Sequence, residues 1–263
     1  MPRSQIDADA DPRTLPVTER GAWLATARGG MWSIEHPHPR DVYLDDLAWG
    51  MARTCRYAGQ IKPWAEFYSV AEHACLMTQW AVEAGEVAYL EDAVALLLHD
   101  AAEAFYGDIP TPLKAMMPGY AALENAAQGV ILEAFRLDEA NTIITKAQIK
   151  QIDVRIRNDE CLALVAEPAL SAGRETRVNK GDPRPLEVQI ACHLPGRARR
   201  DFIDCFSWCA ETLPARDPEV LRAVETQIAG LDHRPADTRP GHPRDPFHDY
   251  EEPEYAHETE IAW

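Results

Sequence analysis

The chain of 263 residues contains no run of about 18 uncharged apolar residues, so no transmembrane helix is expected. Its start, MPRSQIDADADPRTLP, lacks the apolar segment that a secretory signal requires. A cytoplasmic protein is the expectation. Cysteine is sparse, and no two cysteines form a C-x-x-C pair. Cys55, Cys75, Cys161, Cys192, Cys205 and Cys209 fall mostly within apolar patterns, which predicts reduced, buried thiols. Positive charge is scarce too: 26 Lys and Arg stand against 43 Asp and Glu, a net charge of −17. So acidic a surface repels phosphate backbones, which argues against long nucleic acid as a partner. It also repels small anions, so an anionic substrate would need a local cation or a metal ion. No internal repeat is present.

Apolar residues make up 46%, enough for a core in one large domain. Residues 1–20 read as a flexible arm. Residues 21–45 read as loop with room for a short strand or hairpin, because Pro37 and Pro39 limit regular structure. From Asp45 the pattern turns helical. Helices are predicted over about 45–55, 69–84, 90–105, 120–137 and 145–166. Ser69 and Glu72 have the spacing of a capping box, and Gly85 and Gly107 act as stops. ARRDFIDCFSWCAETL and DPEVLRAVETQIAGL add two more helices, and RVNKGDPRPLEVQIA before them has room for a strand. From about His233 the chain is rich in Pro, Asp and Glu with no period, as expected of a disordered or surface-laid acidic tail. The reading is thus an all-α helical bundle over 21–232, with a mixed N-terminal segment, an arm and a tail.

The stretch LLLHDAAEAFYGDIPTPLK, residues 96–114, carries the chemistry. His99 and Asp100 follow three leucines and precede two alanines, in a helix that is apolar nearly all round. A buried aspartate must be paired or bound to a metal. Neutral imidazole with carboxylate is the usual donor set for Mn, Fe, Co or Zn. His73, among Val70, Ala74, Leu76 and Met77, is a candidate third ligand from a neighbouring helix. Candidates for a fourth lie in TKAQIKQIDVRIRNDECLAL. Asp153 and Asp159 flank its apolar stripe about equally and Glu160 lies within it, so periodicity does not choose among the three. No histidine occurs between His99 and Asp153, which favours one metal over two. Glu103 lies four residues after His99, one turn along the same face, and is placed to reach a metal-bound water without being a ligand.

EHACL at 72–76, LLLHDAAEAFYGDIPTPLK at 96–114 and IKQID at 149–153 resemble the H…HD…D signature of the HD-domain phosphohydrolase superfamily. The extended pattern HDAxE…GDxPTPxK is similar to the bacterial 5′-deoxyribonucleotidase branch and its uncharacterised relatives. CRYAGQ…FYSVAEHA at 55–74 resembles their N-terminal segment. The resemblance spans about residues 22–166, and the C-terminal part is matched weakly. It implies an HD-domain helical bundle with one divalent ion (Mn, Co, Fe, Ni or Zn) on His73, His99, Asp100 and Asp153, which selects Asp153 as the fourth ligand. It implies catalytic roles for Glu103 and Asp108 and a phosphate-facing Arg56. Tyr57 stands where the deoxyribonucleotidase has a tryptophan that shapes its sugar pocket, and Lys114 is a further candidate for phosphate contact.

The expected activity is metal-dependent removal of phosphate from a small phosphorylated molecule, foremost a (deoxy)nucleoside 5′-monophosphate. The alternatives are a (deoxy)nucleoside triphosphate triphosphohydrolase and a non-catalytic ligand- or partner-binding protein with a structural metal. No membrane partner is expected, and the sequence leaves room for a homo-oligomer.

Overall fold

The computed structural model describes residues 14–166 and 184–232. It is mostly helical. The N-terminal hairpin pairs β1 (Trp23–Ala25) with β2 (Met31–Ser33) in antiparallel register, Leu24 opposite Trp32. Nine α-helices follow among the described residues: α1 (Leu44–Arg53), α2 (Val70–Glu83), α3 (Leu90–Leu97), α4 (Glu103–Tyr106), α5 (Thr111–Lys114), α6 (Pro118–Ala134), α7 (Lys146–Leu164), α8 (Pro195–Thr212) and α9 (Pro218–Ala229). No helix among these residues is long and apolar enough to cross a membrane.

The bundle forms around α2, which is packed by α1, α3, α7 and α8. The pattern of α1 explains its docking. Leu44, Leu47, Ala48, Met51 and Ala52 fall on one helical face, and all are buried. From α8, Ala198, Phe202, Cys205, Phe206 and Cys209 supply the facing stripe. Phe206 meets Phe135 edge-on, with ring centroids 5.4 Å apart. Burial of each such ring contributes about 1.5–3 kcal/mol. All six cysteines are free thiols; Cys55 and Cys192 are half-buried and the other four buried.

Three local features differ from the sequence expectation. The helix expected over 90–105 is broken. α3 ends at Leu97, tight turns occupy 98–102, and α4 restarts at Glu103. Gln128 of α6 stitches the break: its Nε2 donates to Leu98 O at 2.6 Å and its Oε1 accepts from Ala102 N at 3.0 Å. Secondly, Ser69 caps α2 by accepting from Glu72 N, but the Glu72 carboxylate does not return to its own N-cap. It accepts instead from the backbone N–H groups of Ala191, Cys192 and His193 at 2.7–2.8 Å. Three peptide donors from a distant segment outbid one local donor. Thirdly, residues 184–191 form no strand. Asp159 accepts from Leu186 N and Glu187 N, so two carboxylates strap this segment across the bundle where a strand partner would otherwise be needed.

Arg20, at the end of the expected arm, is fully buried and pairs with Asp41 at 2.5 Å. Residues 1–13, residues 177–183 of the expected strand segment, and the expected tail from residue 233 lie outside the described residues.

Candidate metal centre

Three elements converge on one point. α2 brings His73, which is fully buried, the break between α3 and α4 brings His99, and α7 brings Asp153. One donor atom from each lies within 4.8 Å of the others. His73 Nε2 is 3.4 Å from His99 Nε2 and 3.5 Å from Asp153 Oδ1. Donors about 2.1 Å from a shared ion lie roughly 3.0–3.5 Å apart, so the spacing suits a divalent metal.

Each imidazole is oriented from behind. His99 Nδ1 donates to Leu96 O at 2.9 Å, so its neutral form presents a lone pair on Nε2. His73 Nδ1 lies 2.5 Å from Glu160 Oε1, so its Nε2 is likewise the inward nitrogen. The break after Leu97 matters here, because the Leu96 carbonyl that orients His99 belongs to the last turn of α3. Burial and Arg56 push the His73 pKa down, but Glu160 and Asp153 outweigh them and hold it at about 9. Burial raises Asp153, and the His73 hydrogen bond and charge reverse this, holding it well below the usual carboxylate range.

Asp100 adjoins the triad: its Oδ2 lies 3.1 Å from His99 Nε2 and 3.8 Å from Arg56 Nη1. Burial opposes its ionisation, and His99 outweighs that burial to keep the carboxyl below its usual range. Of the three acids considered on α7, Asp153 faces the two histidines, Asp159 ties the backbone strap, and Glu160 lies behind His73.

Arg56 opens a tight turn in which the next two residues, Tyr57 (φ 59°) and Ala58 (φ 51°), are left-handed. It is buried, with Nη2 3.2 Å from Glu160 Oε2. Tyr57 donates its hydroxyl to the same Glu160 oxygen at 2.6 Å. Glu103 opens α4 and is buried, and its Oε2 has no hydrogen-bond partner. Burial, reinforced by the charges of Asp100 and Asp108, raises its pKa well above the ordinary value. Asp108 follows Gly107, whose φ of 82° ends α4, and burial raises it too, against an opposing pull from Arg56. Lys114 is held by both carboxylate oxygens of Glu124 at 2.8 and 2.9 Å. His36, His38 and His193 lie outside the triad; His193 pairs with Asp201.

A groove of about 1070 Å³ opens onto His99, Asp100 and Asp153. Leu132, Ile144 and Ile149 give it an aliphatic wall, and Lys150 stands at its edge in an ion pair with Asp153. The role of Glu160 was not legible in the sequence, although a signal existed. Asp153 and Glu160 are seven residues apart on α7, two turns along one face.

No protein-family model matches the chain. It is 34% identical over 190 residues to the uncharacterized protein YfdR of Escherichia coli, an alignment covering 72% of this chain and 97% of YfdR. It is 33% identical over 134 residues to an uncharacterized protein of Rhodobacter capsulatus, covering 50% of this chain and 67% of that one. The chain belongs to the family of YfdR.

Proposed function

We propose that this protein is a metal-dependent phosphohydrolase of the HD-domain type, acting on a small phosphorylated molecule with a (deoxy)nucleoside 5′-monophosphate as the first candidate. The observation that carries this reading is a buried carboxylate, Glu103, whose Oε2 has no hydrogen-bond partner and which lies within electrostatic reach of Asp100, the acid adjoining the His73–His99–Asp153 donor cluster. A purely structural metal site has no need of such an acid.

His73, His99 and Asp153 would hold the ion, with Asp100 the adjoining fourth donor. A divalent ion bound there supplies Lewis acidity toward a phosphoryl oxygen and toward water. Glu103, buried near Asp100 with its Oε2 unpartnered, would take the proton of the attacking water, in the ionised form that the charge of a bound ion favours. Arg56 offsets negative charge on the phosphoryl oxygens as the P–O bond to the leaving group breaks. Asp108, in the turn that follows Gly107 and within electrostatic reach of Arg56, would deliver a proton to the leaving oxygen. The remainder of the substrate has room in the aliphatic groove.

Cation placement supports a monophosphate over a triphosphate. Lys114 is paired with Glu124, and Lys62 donates to Leu162 O. Lys146 and Lys150 on the groove are paired with Glu139 and Asp153. Phosphate release from nucleoside mono- and triphosphates, with Mn, Co, Ni, Mg and Zn in turn, tests the reading. Inorganic phosphate from monophosphates with at least one metal is expected. Release of triphosphate instead would favour the alternative activity, and no release from any pair would overturn hydrolysis of nucleotides.

A further inference from the structure

Glu160 occupies a position where the apolar stripe of α7 calls for an aliphatic side chain, and it is fully buried. A carboxylate in that setting is costly unless every lone pair is satisfied. Four donors converge on it. Oε1 accepts from His73 Nδ1 at 2.5 Å and from the Tyr68 hydroxyl at 2.8 Å. Oε2 accepts from the Tyr57 hydroxyl at 2.6 Å and from Arg56 Nη2 at 3.2 Å. These donors come from the turn after α1, from the residue before the α2 cap, and from α2 itself.

The two oxygens therefore serve different parts of the site. Oε1 holds the imidazole that faces the metal position. Oε2 holds the Arg56 guanidinium, which the proposed function assigns to the phosphoryl group. Beyond Glu160 the circuit closes. Arg56 Nη1 is 3.8 Å from Asp100, Asp100 is 3.1 Å from His99 Nε2, and His99 is 3.4 Å from His73 Nε2.

We infer that Glu160 is a positioning residue that couples the cation and oxyanion halves of the site. It fixes His73 with Nδ1 protonated and Nε2 free for the cation, and it aims the Arg56 guanidinium past Asp100 at the phosphoryl group. A carboxylate behind a ligating histidine also raises the basicity of the ligating nitrogen. When Nε2 donates to a cation, the Nδ1–H bond to Oε1 strengthens and draws charge from Oε2. Arg56 then has more of its charge free for an oxyanion. The inference rests on the metal-dependent phosphohydrolase reading.

The test uses equilibrium binding to the full chain. Mn²⁺ is titrated first, and inorganic phosphate is then titrated into the Mn²⁺-saturated protein. Glu160→Gln is expected to weaken Mn²⁺ binding by about 10–100-fold. It is expected to weaken phosphate binding as well, and the double variant Arg56→Ala/Glu160→Gln should lose no more phosphate affinity than Arg56→Ala alone. Fully additive losses, or a Mn²⁺ affinity within about threefold of the parent, would overturn the coupling. If Glu160→Gln does not fold, nitrogen NMR of the parent with diamagnetic Zn²⁺ decides. His73 should keep its Nδ1 proton and bind through Nε2, and binding through Nδ1 would overturn the inference. A parent chain that binds both ions but hydrolyses no phosphoester would sink the phosphohydrolase reading alone, and intact ion binding in Glu160→Gln would sink this coupling alone.

Discussion

Asp153 and Glu160 stand two turns apart on one face of α7 and address opposite nitrogens of His73, at 3.5 Å from Nε2 and 2.5 Å from Nδ1. One helix thus supplies both a candidate metal ligand and the group that orients another ligand. A shift of α7 along its axis would disturb both together, so the site depends on the packing of α7 against α2.

Asp100→Asn keeps the side-chain shape and removes the anionic donor beside His99. Turnover should be abolished and metal content should fall sharply. Elemental analysis alongside phosphate release checks this, and near-normal values in both would exclude Asp100 from the site.

Glu103→Gln should separate stability from activity. Its folded-state pKa is raised, foremost by burial, above the ordinary 4.5. An acid raised in this way costs stability above its unfolded pKa, and the cost disappears as pH falls below about 4.5. In chelator, the variant should therefore melt higher than the parent at neutral pH, and the gap should close in acid. With metal restored it should retain the ion but lose about 10²–10⁴-fold in kcat. A kcat within about threefold, with metal bound, would pass the proton-transfer role to Asp108.

Much of this was readable before any coordinates. The boundaries of α1, α2 and α7, the hairpin near Trp23–Ser33, and the convergence of His73, His99 and Asp153 all agree with periodicity, turn residues and the quoted motif. The break after Leu97 was not readable, because no Gly or Pro between Leu90 and Phe105 marks a stop. It exists because Gln128, thirty residues from Leu98, satisfies the freed backbone groups. Glu72 shows the same limit. Its spacing from Ser69 fits a capping box, yet a remote strap offers more donors. Glu160 reads as a charge lapse in an apolar stripe until Arg56, Tyr57, Tyr68 and His73 surround it.

Gly50 sets the distance between α1 and α4. A Cβ there would lie 2.6 Å from the Ala104 carbonyl oxygen, next to Glu103 in the chain. Gly50→Ala should cost about 1–3 kcal/mol through forced displacement of α4. It should also lower kcat with less effect on metal content. Thermal melting with steady-state kinetics checks this, and unchanged values in both would mean that α4 yields freely.

The His193–Asp201 pair, 2.8 Å apart, gives a pH signature away from the metal centre. Its hydrogen bond to Asp201 holds His193 above the ordinary 6.5. Burial pushes Asp201 up, but His193 and Arg197 outweigh it and hold the carboxyl below 3.8. The His193 contribution is complete below about pH 6.5 and fades as pH rises through its raised pKa. That of Asp201 is complete above about pH 3.8 and fades as pH falls through its lowered value. Asp201→Asn should therefore lower Tm most near pH 5–6 and less at about pH 9, where the Arg197 contact remains. A larger loss at the alkaline end would contradict the pairing.

The most direct measurement takes the full chain stripped of metal by chelator and titrates it with Mn²⁺ while phosphate release from a nucleoside 5′-monophosphate is followed. The stripped protein should be inactive, and activity should rise in proportion to bound metal and level off near one ion per chain. Release that is independent of metal, or absent at full occupancy with every nucleotide tried, would contradict a single-metal phosphohydrolase.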